Sequence, residues 1–191
     1  MKTSLLLHIC CVPCGAGCVQ HPFLDEFEVV PEILYYSNSN LNSKEEFEQR
    51  LACVRKLGEY FNIPVVVDPY DHESWLQAVK GFENCREGGE RCRKCFKFSL
   101  SRAAAAAEQH DMAFATTLTV SPRKSSKTIF EIASGWEKFM PLDFKKKNGY
   151  LAGSKLAVML AFYRQNYCGC EFSKCESAAR EITPPPSKKP L

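Results

Sequence analysis

The feature that most constrains this chain is an apolar run that ends in thiols, Leu5-Leu6-Leu7-His8-Ile9-Cys10-Cys11-Val12-Pro13-Cys14. An apolar stretch of strand length meets three cysteines at its end, which is where an α/β sheet presents its chemistry. Adjacent cysteines such as Cys10 and Cys11 rarely bond to each other, because the ring so formed is strained, whereas an inorganic centre can take two neighbouring thiolates. A second pair, Cys92-Arg93-Lys94-Cys95, has the two-residue gap that puts both sulfurs on one side of a turn or helix start. A third group, Cys168-Gly169-Cys170, lies far downstream. The reading is a thiolate-ligated metal site built from the first two groups, with the third nearby as a redox-active pair. The alternative for any single cysteine is inert burial, since a free thiol packs as a small hydrophobe.

The rest of the pattern alternates strand and helix. Ser4 to Ile9 is strand one, and the small residues of Cys14-Gly15-Ala16-Gly17-Cys18 open a helix whose backbone can approach a ligand closely. Phe27 to Tyr36 reads as strand two, with Pro31 marking a bulge or the true strand start. Ser43 and Glu46 form a capping-box signature ahead of a long helix whose apolar stripe is Phe47, Leu51, Val54, Leu57 and Phe61. Ile63 to Val67 is strand three, and Asp71 just beyond it is placed to cap a short helix carrying Trp75 and Val79. A loop with Gly88-Gly89 leads into a helix through Cys92, Cys95 and the alanine run, ending near Asp111. Met112 to Val120 is strand four. Arg123, Lys124 and Lys127 follow at a strand end that shares a face with the cysteines, a position from which cations reach phosphate. Thr128 to Phe139 is helical, Pro141 to Gly149 is a loop with Lys145, Lys146 and Lys147, and Ser154 to Tyr167 is the last helix. Together these predict an α/β fold: a single-domain, doubly wound, mainly parallel Rossmann-like sheet over residues 1–182, with a disordered tail over 183–191.

Composition narrows the setting. A chain of 191 residues, 45% of them hydrophobic, can bury one good core. Eleven cysteines is an odd number, so full pairing within one chain is impossible. Met1 to Ser4 run straight into a core strand without a charged leader, and no apolar stretch reaches the roughly 18–20 residues that span a bilayer. The expectation is a soluble cytoplasmic protein without a membrane partner, where clustered thiols serve metals or catalysis. A net charge of +3 permits a nucleic-acid partner without arguing for one.

Four thiolates from two segments suit a 4Fe-4S cluster or tetrahedral zinc. Zinc would only staple a chain already large enough to fold, and would occupy a crevice where substrates bind. The Cys168–Cys170 pair adds a two-electron store, strained and easily reduced if closed into a disulfide. Cys14 and Asp71 are candidate ligands for a second metal, an additional iron.

The motifs LLLHICCVPC, YDHESW, GGERCRKCF, TTLTVSP, DFKKKNGY and YRQNYCGC together resemble the QueH-type epoxyqueuosine reductases. They span nearly the whole chain apart from its tail. The resemblance implies the last step of queuosine biosynthesis, the two-electron reduction of an epoxide on a modified base in the tRNA anticodon loop. It implies a 4Fe-4S cluster on Cys10, Cys11, Cys92 and Cys95, the redox-active pair Cys168 and Cys170, and no cobalamin. An unidentified low-potential electron donor is implied as a partner beside tRNA. The chain departs from the usual family pattern after strand two, where Ser37-Asn38-Ser39-Asn40 stands in place of an Asn-Pro stretch. Two other classes remain open: a tRNA-thiolating enzyme, which would need a Ser-Gly-Gly-x-Asp type phosphate loop absent after strand one, and a zinc-stabilised tRNA-binding module.

Overall fold

The computed structural model describes residues 2–182, so the expected tail lies outside the described residues. Four strands, β1 (Thr3–Ile9), β2 (Val29–Tyr36), β3 (Val65–Val67) and β4 (Ala113–Thr116), form one all-parallel sheet in the order β3-β2-β1-β4. Its central strand is the apolar run: Leu5, Leu6, Leu7 and Ile9 are completely buried. That is the pattern expected of a parallel strand covered on both faces.

Eight helices accompany the sheet among the described residues: α1 (Val12–Cys18), α2 (Phe23–Glu26), α3 (Lys44–Phe61), α4 (His72–Val79), α5 (Glu90–Gln109), α6 (Ser126–Ala133), α7 (Gly149–Met159) and α8 (Glu171–Ile182). The chain winds outward from β1 to β3, then crosses back past β1 to lay β4 on the opposite side. Right-handed crossovers therefore put α1 and α3 on one face and the returning α5 on the other. The order reverses between β1 and β4, which opens a crevice at their carboxyl ends. Cys10 and Cys11 follow β1 directly into that crevice.

Several local expectations hold. Ser43 caps α3 by accepting a hydrogen bond from the Glu46 N–H, and Asp71 caps α4 by accepting one from the Ser74 N–H. The β1–β2 register slips between Leu5 and Leu6, opposite Pro31, because proline brings no N–H to the ladder.

Others are corrected. Strand two begins only at Val29, because Glu28 takes a positive φ of 50°. Strand three shortens to Val65–Val67. Strand four stops at Thr116, and Thr117–Val120 is a 3₁₀ turn. The Thr116 hydroxyl accepts from the Leu118 N–H and Thr119 donates to the Thr116 carbonyl, so side chains take over the bonds that would have extended the ladder. The helix expected over Thr128–Phe139 is α6, capped by Ser125 and ended at Ala133, after which Phe139 bridges to Phe114 beside β4. The basic loop contains a 3₁₀ turn, and Lys147 and Asn148 both sit at positive φ. The last predicted helix is out of register: α7 runs from Gly149 to Met159, Ala161 at φ 51° breaks the chain's direction, and Tyr163 to Cys170 are loop. A further helix, α8, follows where none was expected.

The small residues after Cys14 also serve another purpose. A Cβ on Gly17 would lie 2.2 Å from the Gly149 carbonyl oxygen, and one on Gly153 would lie 2.1 Å from that of Pro13. Gly17 thus admits α7 against α1, where a ligand had been expected.

Candidate metal and redox centre at the strand ends

The turn after β1 is held by its neighbours. The Cys10 N–H donates to Thr117 Oγ1 at 3.0 Å, and that hydroxyl donates onward to Cys10 Sγ at 3.3 Å. Asn38 Nδ2 donates to the Ile9 carbonyl at 3.0 Å. The end of β1 is therefore pinned from both flanking strand ends. Cys11 occupies the N-cap position of α1 with extended backbone, and Cys14 follows inside the helix. As a result the sulfurs of Cys10, Cys11 and Cys14 lie within 4.8 Å of one another.

Three buried thiols cannot all ionise. Cys11, hydrogen-bonded by Cys10 and Cys14, is held well below the ordinary thiol range. Sharing that hydrogen with Cys11 pushes Cys10 up to about 12, and hydrogen bonds to both neighbours together with burial raise Cys14. Beneath the triad, His8 places Nδ1 2.9 Å from Thr116 Oγ1 and Nε2 3.3 Å from the Ser37 carbonyl. A carbonyl only accepts, so Nε2 is assigned the proton and Nδ1 accepts from the threonine hydroxyl. Burial lowers the His8 pKa to about 4, which keeps the ring neutral at pH 7.

A cavity of about 290 Å³ opens beyond these strand ends. Its floor is the thiol triad, and its wall includes Cys95 of α5 and Cys168 of the loop after α7. Cys92 stands one turn before Cys95 and receives the Gly88 N–H at 3.2 Å. Burial raises both α5 thiols, and the nearby Cys168 and Cys170 raise them further. Cys170 is not on the cavity lining but in a small buried cluster with Trp75 and Val79, against which Cys95 also packs, and the Ser173 N–H lies 3.4 Å from its sulfur. Burial raises Cys170, and the Ser173 contact offsets part of that. All eleven cysteines are free.

Asp71 does not join the thiols. It caps α4 and is neither in the triad nor on the cavity wall, so the structure does not bring it to Cys14. The expected cations divide. Arg123 and Lys124 line the cavity. Burial opposes the charge on Lys124, but Cys168 and the triad outweigh it and raise its pKa. Lys127 and Lys146 are exposed. Lys145 donates to the Lys124 carbonyl at 2.8 Å and Ser126 Oγ at 2.6 Å, and Lys147 pairs with Glu26.

The family model for epoxyqueuosine reductase QueH matches residues 5–176. The chain belongs to the QueH family. It is 35% identical over 183 residues to an epoxyqueuosine reductase QueH of Thermotoga maritima, covering 91% of each chain. It is 32% identical over 185 residues to that of Streptococcus pyogenes, covering 91% of this chain and 71% of the relative. It is 29% identical over 191 residues to that of Dehalococcoides mccartyi, covering 96% of this chain and all of the relative.

A soft transition-metal centre fits the donors this QueH chain presents. Among the described residues, the triad is the group of three His, Cys, Asp or Glu donors whose ligand atoms converge, and its members are buried sulfurs, with the Cys11 thiol held well below its ordinary range by its two neighbours. Cys10, Cys11 and Cys95 share one cavity, and Cys92 stands a turn away. Sequence reasoning missed Arg50, which is on the cavity wall and bonds to the Cys168 carbonyl. The signal was available: Arg50 falls between Phe47, Leu51 and Val54, a cation on the apolar stripe of α3. Tyr150, exposed at the same cavity, was also passed over.

Proposed function

We propose that this chain reduces the epoxide of epoxyqueuosine in the tRNA anticodon loop to the cyclopentene of queuosine, the last step of that pathway, as a cytoplasmic enzyme without cobalamin. The observation that carries the reading is a cavity large enough for part of a modified nucleoside, floored by thiols, in a member of the QueH family. Among the described residues no helix is long and apolar enough to cross a membrane. The reaction balances as epoxide plus two electrons and two protons giving alkene plus water, with the electrons drawn from a low-potential donor.

Cys10, Cys11, Cys92 and Cys95 would hold a 4Fe-4S cluster, which supplies low-potential single electrons when bound. Cys14, inside the triad, would offer a ligand for an additional iron, whereas Asp71 is held as the N-cap of α4. The chain's own groups supply the rest. Cys168, on the cavity wall, and Cys170, behind it, would serve as a two-electron reserve that closes into a disulfide as it gives up electrons. Lys124 is a cation beside the triad, placed to hold the departing oxygen's charge or give it a proton. Neutral His8 keeps the strand ends in register below the site. Arg123 and Lys124 at the cavity, with Lys127, Lys145, Lys146 and Lys147 around the basic loop, would position the tRNA through its phosphates.

The test is anaerobic reconstitution with iron and sulfide, then incubation with tRNA carrying epoxyqueuosine and a strong chemical reductant. Nucleoside mass spectrometry should show the loss of one oxygen. Unchanged substrate, from protein that holds a full cluster and binds the tRNA, would overturn the proposal.

A further inference from the structure

Arg50 is almost completely buried, yet it lies on the face of α3 that otherwise carries core residues. Its Nη1 donates to the Cys168 carbonyl at 3.1 Å, and its guanidinium covers the Tyr167 ring at 5.5 Å. Its charge is matched one turn back by Glu46, with Nε and Nη2 at 2.8 and 2.7 Å from the same carboxylate oxygen. That carboxylate also accepts from the Tyr163 hydroxyl, at 3.1 Å on its second oxygen. One ion pair on α3 therefore grips the Tyr163–Cys170 loop at Tyr163, Tyr167 and Cys168. Asn42 completes the latch, its N–H donating to the Gly169 carbonyl at 3.0 Å and its side chain accepting from the Tyr167 hydroxyl at 2.7 Å.

The loop so held is the open, dithiol form. Cys168 lines the cavity while Cys170 lies in the Trp75 cluster. Between them Gly169 adopts φ 145°, where a Cβ would stand 2.4 Å from Leu41 and 3.3 Å from Arg50 Nη1. Closing a disulfide across one residue requires both sulfurs to turn toward each other. That turn loads the Cys168–Gly169–Cys170 backbone, whose two carbonyls are held by Arg50 and Asn42, and draws the Cys170 sulfur away from the Ser173 N–H. Every bond that fixes the open loop therefore favours the reduced form, and stabilising the reduced form makes a couple more oxidising.

We propose that Arg50 is a positioning residue that holds the Cys168–Gly169–Cys170 loop open and thereby sets the reduction potential of the thiol pair. The inference rests on the reading of Cys168 and Cys170 as redox-active. In the closing step each thiol loses a proton, one S–S bond forms, and the electron pair passes to an acceptor disulfide.

The test equilibrates the purified full chain anaerobically in glutathione buffers of varied ratio, with glutathione disulfide as the acceptor that becomes two thiols. Alkylation then traps free thiols, and the tryptic peptide from Gln165 to Lys174 carries both cysteines and no others. Arg50→Gln should favour the disulfide by roughly tenfold, the lower end for a missing hydrogen bond to a charged group, which lowers the midpoint by about 30 mV. Arg50→Lys, which keeps the charge, should recover part of the shift. Should Arg50→Gln fail to fold, Tyr163→Phe leaves the ion pair intact and frees one end of the loop; it should shift the equilibrium the same way by a smaller factor. A wild-type midpoint in a folded variant, even one of lowered thermal stability, would overturn the proposal. A wild-type chain that forms no disulfide on this peptide at any ratio would instead remove the redox-active reading, and this inference with it.

Discussion

The triad at the end of β1 and the Cys168–Gly169–Cys170 loop carry similar chemistry but are built differently. Cys10, Cys11 and Cys14 are placed by main chain: a fully buried strand, an N-cap and the first turn of α1. The thiol pair belongs to a loop between α7 and α8, placed by side chains from α3 and its approach, Arg50, Glu46 and Asn42. Sulfurs at a strand end of a packed sheet can shift only if the core shifts. Those on the loop are fixed by a few hydrogen bonds, each worth about a kcal/mol or so, and can be released one at a time. The first arrangement suits a rigid metal site, the second a group that must change conformation as it works.

The largest effect should come from breaking the rigid side. Cys11→Ala or Cys95→Ala should abolish iron binding in reconstituted protein, whereas Cys53→Ala, on α3 and away from the cavity, should retain it. Iron and sulfide analysis with visible absorbance decides this; a full cluster in Cys95→Ala would show that α5 does not complete the centre that begins at the triad.

Next, two glycine substitutions separate the regions by where their cost falls. Gly17→Ala forces α1 from α7 against backbone atoms and should cost about 1–3 kcal/mol of global stability, read as a lower urea midpoint. Gly169→Ala introduces strain of similar size, about 1–3 kcal/mol, at positive φ. It should appear mainly as faster alkylation of Cys170, with a smaller change in midpoint. Equal global losses would mean that the loop is as much a part of the cooperative core as the strand end.

A smaller effect concerns the cations. Arg123→Ala or Lys146→Ala should lower the salt dependence of tRNA binding by about 0.7–0.9 in log–log slope for each phosphate that is no longer neutralised. Lys145→Ala should lower the slope as well and, by loosening the link between Lys124 and Ser126, also reduce stability. A titration of binding against salt for the three variants checks the slopes.

The smallest is a pH effect at His21, which joins α1 to the basic loop. Its Nδ1 accepts from the Phe23 N–H and its Nε2 donates to the Lys146 carbonyl at 2.9 Å. Burial lowers its pKa, Lys147 lowers it further, and the Lys146 and Phe144 carbonyls and Asp143 act the other way. Because the folded value lies below the unfolded one, about 6.5, the unfolded chain binds more protons as pH falls, and stability should decline below that pH. Urea midpoints at pH 7.5 and 5.5 should differ more in wild type than in His21→Gln.

The sequence by itself determined the central strand, the caps at Ser43 and Asp71, the helix that carries Cys92 and Cys95, and the arrival of Cys10 and Cys11 at a sheet edge. These rest on local patterns, a buried apolar run and side chains that bond within a turn, and local patterns survive in one dimension. Tertiary structure alone decided that Thr117 would end strand four as a partner for Cys10 and that Gly17 would be spent on α7. It also moved the last predicted helix back to α7 and left Tyr163–Cys170 as loop, since Arg50 and Asn42 hold that segment from more than a hundred residues away. A bond between such distant groups leaves no periodicity in either segment. What it left was one arginine in a row of core residues, and its meaning appeared only when the chain had folded around it.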